Sequence, residues 1–201
     1  MLTRSRWGYW RRRLPPPRAV HAACALGLAV AACQGMDEQP EPSVVDAKQS
    51  LIRFQHADFD PDLAEYSLAR DRRTGNAIHL ARFYGVDTFA MVAAYQNSAS
   101  YVIQERPTEA YIANMLTDLD LDWGESGRTD SGFGTVPYRL FNVVDEPLSC
   151  VGFGQTIGER TDDRGRKSDL VVGVFCHDDS RPMSVDSAEE LISNVSLAGR
   201  R

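Results

Sequence analysis

The chain has 201 residues, 43% of them hydrophobic, and a formal net charge of −6. One domain's worth of residues remains once a targeting segment is set aside, enough to bury a core without dense stapling. Six of the 22 basic residues and none of the 28 acidic ones precede residue 33, so the remainder carries −12. That acidity excludes nucleic acid as a partner, because phosphate binding needs clustered Lys and Arg. It also sets the domain as a whole against anionic lipid headgroups.

Residues 1–18 are basic and aromatic, ending in Pro15, Pro16, Pro17 and Arg18. An apolar run follows from Ala19 to Ala32, broken only by His21. A membrane-spanning helix needs about 20 apolar residues, so this shorter run suits the core of a signal peptide. The run closes on Val30-Ala31-Ala32-Cys33, which resembles the lipobox of bacterial lipoproteins. The resemblance implies that Cys33 is diacylated and becomes the mature N-terminus, anchoring the protein to the membrane. Gln34 is similar to the residue after the cysteine in lipoproteins sorted to an outer membrane. Ala29 and Ala31 would also suit ordinary signal-peptide cleavage, which leaves a secreted protein without lipid. The organisation expected is a signal peptide over 1–32, a lipidated flexible tether over 33–43, polar and containing proline, and a single domain over 44–201.

Within the domain, residues 44–59 fit either a short helix or a first strand. Asp60-Pro61 signals a turn, and the segment from Pro61 to Tyr66 predicts a short helix. Residues 72–76 form a turn. Alternating apolar residues predict strands over Ala77–Tyr84, Thr88–Tyr95 and Ser100–Glu105. Pro107 ends that series. Thr108 and Glu109 open a helix carrying Tyr111, Ile112, Met115, Leu116 and Leu119 on one stripe. Residues 120–134 are acidic and rich in glycine, the composition of a loop. Three more strands are expected over Thr135–Val144, Leu148–Ile157 and Leu170–Cys176. Ser187-Ala188-Glu189-Glu190 has the pattern of a capping box, followed by Leu191, Ile192 and Val195 as the stripe of a last helix. These elements predict an α+β fold: an antiparallel sheet of five to six strands with two or three helices packed on one face. The order of the C-terminal elements, from the strand of Cys150 to the acidic-capped helix, resembles small envelope proteins of proteobacteria. That resemblance carries no activity.

Cys150 and Cys176 are the cysteines left beside Cys33 once residues 1–32 are removed. A pair in an oxidising compartment points to a disulfide. If the last two strands form a hairpin centred near residue 163, both cysteines are equidistant from its centre and face each other. Asp118, Asp120 and Asp122 alternate like the first ligands of a calcium loop. Trp123 and Thr129 stand where such a loop needs Gly and Glu, so no calcium site is expected there. His56, His79 and His177 are scattered without metal-ligand spacing. Gly152-Phe153-Gly154 lies within a strand, away from any strand-to-helix turn that would cradle a phosphate, and marks a bulge or close packing. Ser149 has no histidine near it in sequence.

No cofactor is implied. The reading that follows is a membrane-anchored envelope lipoprotein with a non-enzymatic binding or structural accessory role. Its partners would be the membrane, through the N-terminal lipid, and an envelope protein or glycan. The alternative is a periplasmic hydrolase whose carboxylates come together only in the fold.

Overall fold

Alternation along the chain builds a sheet much larger than expected. The structure is a computed structural model. It describes residues 41–97, 102–161, 167–178 and 182–199. Strands run in the order β1 (Ser43–Val44), β2 (Ile52–Phe54), β3 (Asp60–Arg70), β4 (Ala77–Tyr84), β5 (Thr88–Gln96), β6 (Leu121–Ser131), β7 (Gly134–Val143), β8 (Leu148–Thr161), β9 (Lys167–Asp178) and β10 (Val195–Leu197). Two α-helices, α1 (Thr108–Met115) and α2 (Val185–Ser193), join them, with a 3-10 turn at Ala47–Gln49. One antiparallel sheet of eight strands has the order β1-β3-β4-β5-β9-β8-β7-β6, and β10 pairs with β2 in a separate ribbon. Two meanders, β3 to β5 and β6 to β9, are thus joined where β5 meets β9.

The fold is therefore mostly β rather than α+β, with eight strands in the main sheet instead of five or six. Three segments account for the difference. Residues 121–131, expected as a loop, are the edge strand β6, whose half-buried Leu121 and Trp123 alternate with exposed Asp122. Leu121 and Trp123 are its only large apolar residues, too short an alternation to mark a strand in the sequence, and its charges discourage pairing with other chains. Residues 61–66, expected to open a helix, lie in β3. Pro61 is tolerated because the ladder with β4 breaks between Asp60 and Glu65, where its missing N–H costs no hydrogen bond. The segment expected as a strand over 100–105 belongs to no strand across residues 102–105, although Ile103 N–H donates to Lys167 O at 2.9 Å. Its first two residues lie outside the described ones.

The helices also depart from a single covering layer. On β8, Gly152 and Gly154 face α1. A Cβ at Gly152 would lie 2.4 Å from Ile112 Cδ1, and one at Gly154 would lie 2.5 Å from Tyr111 Cδ2. The glycines thus let the helix approach the strand closely. The intervening Phe153 points to the opposite face, into a core that includes Ala188, Leu191 and Ile192 of α2. The two helices cover opposite faces of the sheet. The last helix is capped three residues earlier than expected, at Ser184, whose Oγ accepts from Ser187 N–H at 3.2 Å. Val195, expected on that helix, lies in β10.

The α2 face carries the aromatic core. Phe153 and Phe175 stack at 6.1 Å, and Phe54 packs on Phe83 and Phe175 at 5.0 and 5.1 Å. Gly173 makes room for the Phe153 ring, since a Cβ there would fall 2.3 Å from Phe153 Cε1. Residues Pro40–Arg201 form one compact unit.

Gly85, in the β4–β5 turn, is the tightest of these sites. A Cβ there would sit 1.7 Å from the Asp58 carbonyl oxygen and 2.2 Å from Thr88 Oγ1. At Gly152 the obstacle is the flexible end of Ile112; at Gly85 it is backbone. We expect Gly85→Ala to cost at least about 3 kcal/mol in urea unfolding and Gly152→Ala less, about 1–2 kcal/mol. Equal losses would contradict this packing.

Candidate functional site

The sequence-derived pair comes together. Cys150 on β8 and Cys176 on β9 are direct partners in the ladder and form a disulfide, with Cα atoms 4.1 Å apart. The hairpin places them so because its irregularity lies beyond Ile157, on the loop side, and leaves the register at the cysteines undisturbed. The bridge is buried on the α1 face. Phe141 is the register partner of Cys150 on one side, and Phe89 that of Cys176 on the other. A buried bridge among aromatic neighbours acts as a staple, since redox-active cysteines sit at exposed, electropositive positions.

The other residues named from sequence take structural or surface positions. Cys33 lies outside the described residues. Ser149 is opposite His177 in the ladder, but its Oγ accepts the Met183 N–H at 2.6 Å and so fixes the approach to α2. Asp118, Asp120 and Asp122 are exposed around the start of β6. Among the described residues, no group of three or more His, Cys, Asp or Glu is placed to hold a metal ion. No helix among them is long and apolar enough to cross a membrane.

His79 is 3% exposed on β4, and its Nδ1 accepts the Leu51 N–H at 3.3 Å. Burial pushes its pKa below the ordinary imidazole value of 6.5, against a smaller upward pull from Gln96. Nε2 has no partner at hydrogen-bond geometry. Tyr138 reaches from β7 to α2, its hydroxyl 3.0 Å from Glu189 Oε1. Burial first, then that hydrogen bond, push its pKa up to about 12.

One constellation was not legible in the sequence. His56 lies between Asp58, 3.6 Å from Nδ1, and Glu190 of α2, 3.5 Å from Nε2. Its ring is stacked parallel to Phe54 at 6.3 Å and lies edge-on to Phe59. The Asp58 N–H donates to Nδ1 at 3.2 Å, so the neutral ring carries its proton on Nε2, facing the Glu190 carboxylate. Thr88 Oγ1 donates to Asp58 O at 2.9 Å and ties the same turn to β5. The arrangement fastens α2 to the start of β3. Glu190 is far from His56 in the chain, and neither residue has a motif around it.

Compared with known proteins, the chain matches no family model, no curated protein and no solved structure.

The bridge closes a loop of 26 residues. The chain-entropy relation gives about 3.5 kcal/mol of stabilisation for a loop of that size. Cys150→Ala with Cys176→Ala should lower unfolding free energy by about that amount while preserving the fold, read by urea titration and far-ultraviolet dichroism. An unchanged midpoint would show that the bridge contributes nothing.

His79 gives a second expectation. Below pH 6.5 the unfolded chain takes up a proton at this position that the native protein resists. Its contribution is therefore intact above pH 6.5 and is lost as the pH falls through that value toward the lowered native one. His79→Gln keeps an acceptor for Leu51 but does not titrate. Melting temperatures of the two proteins should diverge least in acid, where the wild type loses stability that the variant retains. A constant difference across pH 5 to 8 would count against a buried, neutral His79.

Proposed function

We propose that the chain is a membrane-anchored envelope lipoprotein whose folded domain has a non-enzymatic binding or structural accessory role. Two features of different origin support this reading. The Val30-Ala31-Ala32-Cys33 segment, behind a basic region and a short apolar run, is the pattern of a lipidation signal. The Cys150–Cys176 bridge belongs to an oxidising compartment, which cytosolic thiols seldom find. The bridge is the observation that carries the proposal, because it argues for export without reference to the N-terminal segment.

The accessory role rests on how polar side chains are spent. Ser149, Tyr138 and His56 each bind a neighbouring element, and their contacts join the sheet to α2. The partners that suit an acidic domain on a short tether are the membrane through its lipid, and an envelope protein or glycan, in the periplasm and more readily at the outer membrane than the inner.

Replacing Cys33 by Ala should abolish acylation and move the protein from the membrane fraction to the soluble one. Intact-mass measurement of the mature wild type should give an N-terminal diacylated Cys33. A mature N-terminus elsewhere, or an unmodified cysteine, would defeat the lipoprotein reading and leave ordinary secretion.

A further inference from the structure

His56 has two sets of partners that exclude each other. Its Nδ1 accepts the Asp58 N–H at 3.2 Å, and Oδ2 of the Asp58 carboxylate lies 3.6 Å from the same nitrogen. A neutral ring satisfies the first arrangement: the Nδ1 lone pair takes the N–H, and the proton on Nε2 faces Glu190 Oε1 at 3.5 Å. A charged ring carries a proton on both nitrogens and accepts nothing. Nδ1–H then meets the Asp58 N–H donor to donor, and the Asp58 carboxylate is the acceptor at hand, in a charge-assisted bond. Uptake of one proton from water at Nδ1 thus exchanges the backbone of Asp58 for its side chain. Nε2–H faces Glu190 of α2 in both states.

The surroundings decide what yields. The His56 side chain is 12% exposed, and its ring is held by Phe54, stacked parallel to it, and by Phe59, edge-on. The Asp58 side chain is 62% exposed. The ring is fixed, and the turn that carries Asp58 is free to move. That turn is joined to the sheet. His56 O accepts the Phe59 N–H at 3.2 Å, and Asp58 O accepts from Thr88 Oγ1 at 2.9 Å. Gly85 comes so close that a Cβ on it would lie 1.7 Å from the Asp58 carbonyl oxygen. Gly85 N–H in turn donates to Thr88 O at 3.0 Å. A shift at Asp58 is therefore passed to the β4–β5 turn.

Neighbouring elements bring further charge. Asp60 and Asp62 stand at the start of β3, Asp87 in the β4–β5 turn, Asp178 at the end of β9, and Asp186 and Glu189 on α2. Glu189 accepts from the Tyr138 hydroxyl. Arg53, next to Phe54 on β2, donates to the carbonyls of Ala47, Ser50 and Ile52. His177 follows Phe175 by two residues on the same face of β9 and is the register partner of Thr88. Its titration could imitate that of His56.

We infer that His56 is a proton-operated switch. Charging the ring releases the Asp58 N–H, draws in the Asp58 carboxylate and shifts the β4–β5 turn, so that an exposed turn of the domain takes its shape from the pH around it. The switch goes beyond the accessory role and does not depend on lipidation of Cys33.

The test is a nuclear magnetic resonance titration of the isotope-labelled wild type from about pH 8 to about pH 5, the range in which imidazoles gain their charge. At the upper end the His56 ring should have a bare Nδ1 and a protonated Nε2. As the ring charges, the Asp58 amide proton should move upfield, the mark of a lost hydrogen bond, with the same midpoint as the ring. The Gly85 and Thr88 amides should follow it. His56→Gln should abolish the step at all three amides, and His177→Gln should leave it in place. A step that survives His56→Gln belongs to the Asp58 carboxylate, and one that vanishes in His177→Gln belongs to the other imidazole; either result overturns the switch. The wild type alone can also overturn it, by a ring that charges with no change at Asp58, that stays neutral to the lower end, or that carries its neutral-state proton on Nδ1.

Discussion

Everything in this fold depends on the register between β8 and β9. β9 is the seam between the two meanders, bonded to β5 on one side and β8 on the other. Its register decides which side chains meet which helix. With Cys150 opposite Cys176, Phe153 and Phe175 face α2 while Gly152 and Gly154 face α1. A slip of one residue would exchange the two faces of a strand, placing phenylalanine against α1 and glycine in the aromatic core. The disulfide excludes that alternative covalently, and the glycines exclude it sterically.

Residues with one strong environment were legible in the sequence. β4, β5, β7, β8 and β9 are apolar enough to announce themselves, and the cysteine pairing followed from the symmetry of their hairpin. Residues with two competing signals were not. β6 closes the sheet with Leu121 and Trp123 as its only large apolar residues, so its composition matches a loop. Pro61 argues against a strand unless one knows that the ladder is broken beside it. The placement of α1 depends on small residues in β8 rather than on the helix's own stripe. Gly152 and Gly154 suggested a bulge or close packing, and the close packing is that of α1 on the α1 face.

The polar groups follow the same division. Ser149 and His177 are adjacent across the ladder, and the serine oxygen accepts the Met183 N–H on the approach to α2. His56 gains its meaning from Glu190, a residue supplied by α2. Side chains that looked isolated in sequence are mostly ties between layers.

The central claim is an exported protein whose two sheet-forming cysteines are bridged and whose first mature residue is lipidated. Peptide mass mapping under non-reducing conditions, on protein isolated from the cell envelope and alkylated during lysis, tests it most directly. The account predicts one cross-linked peptide pair containing Cys150 and Cys176. Recovery of both cysteines as alkylated free thiols would contradict it.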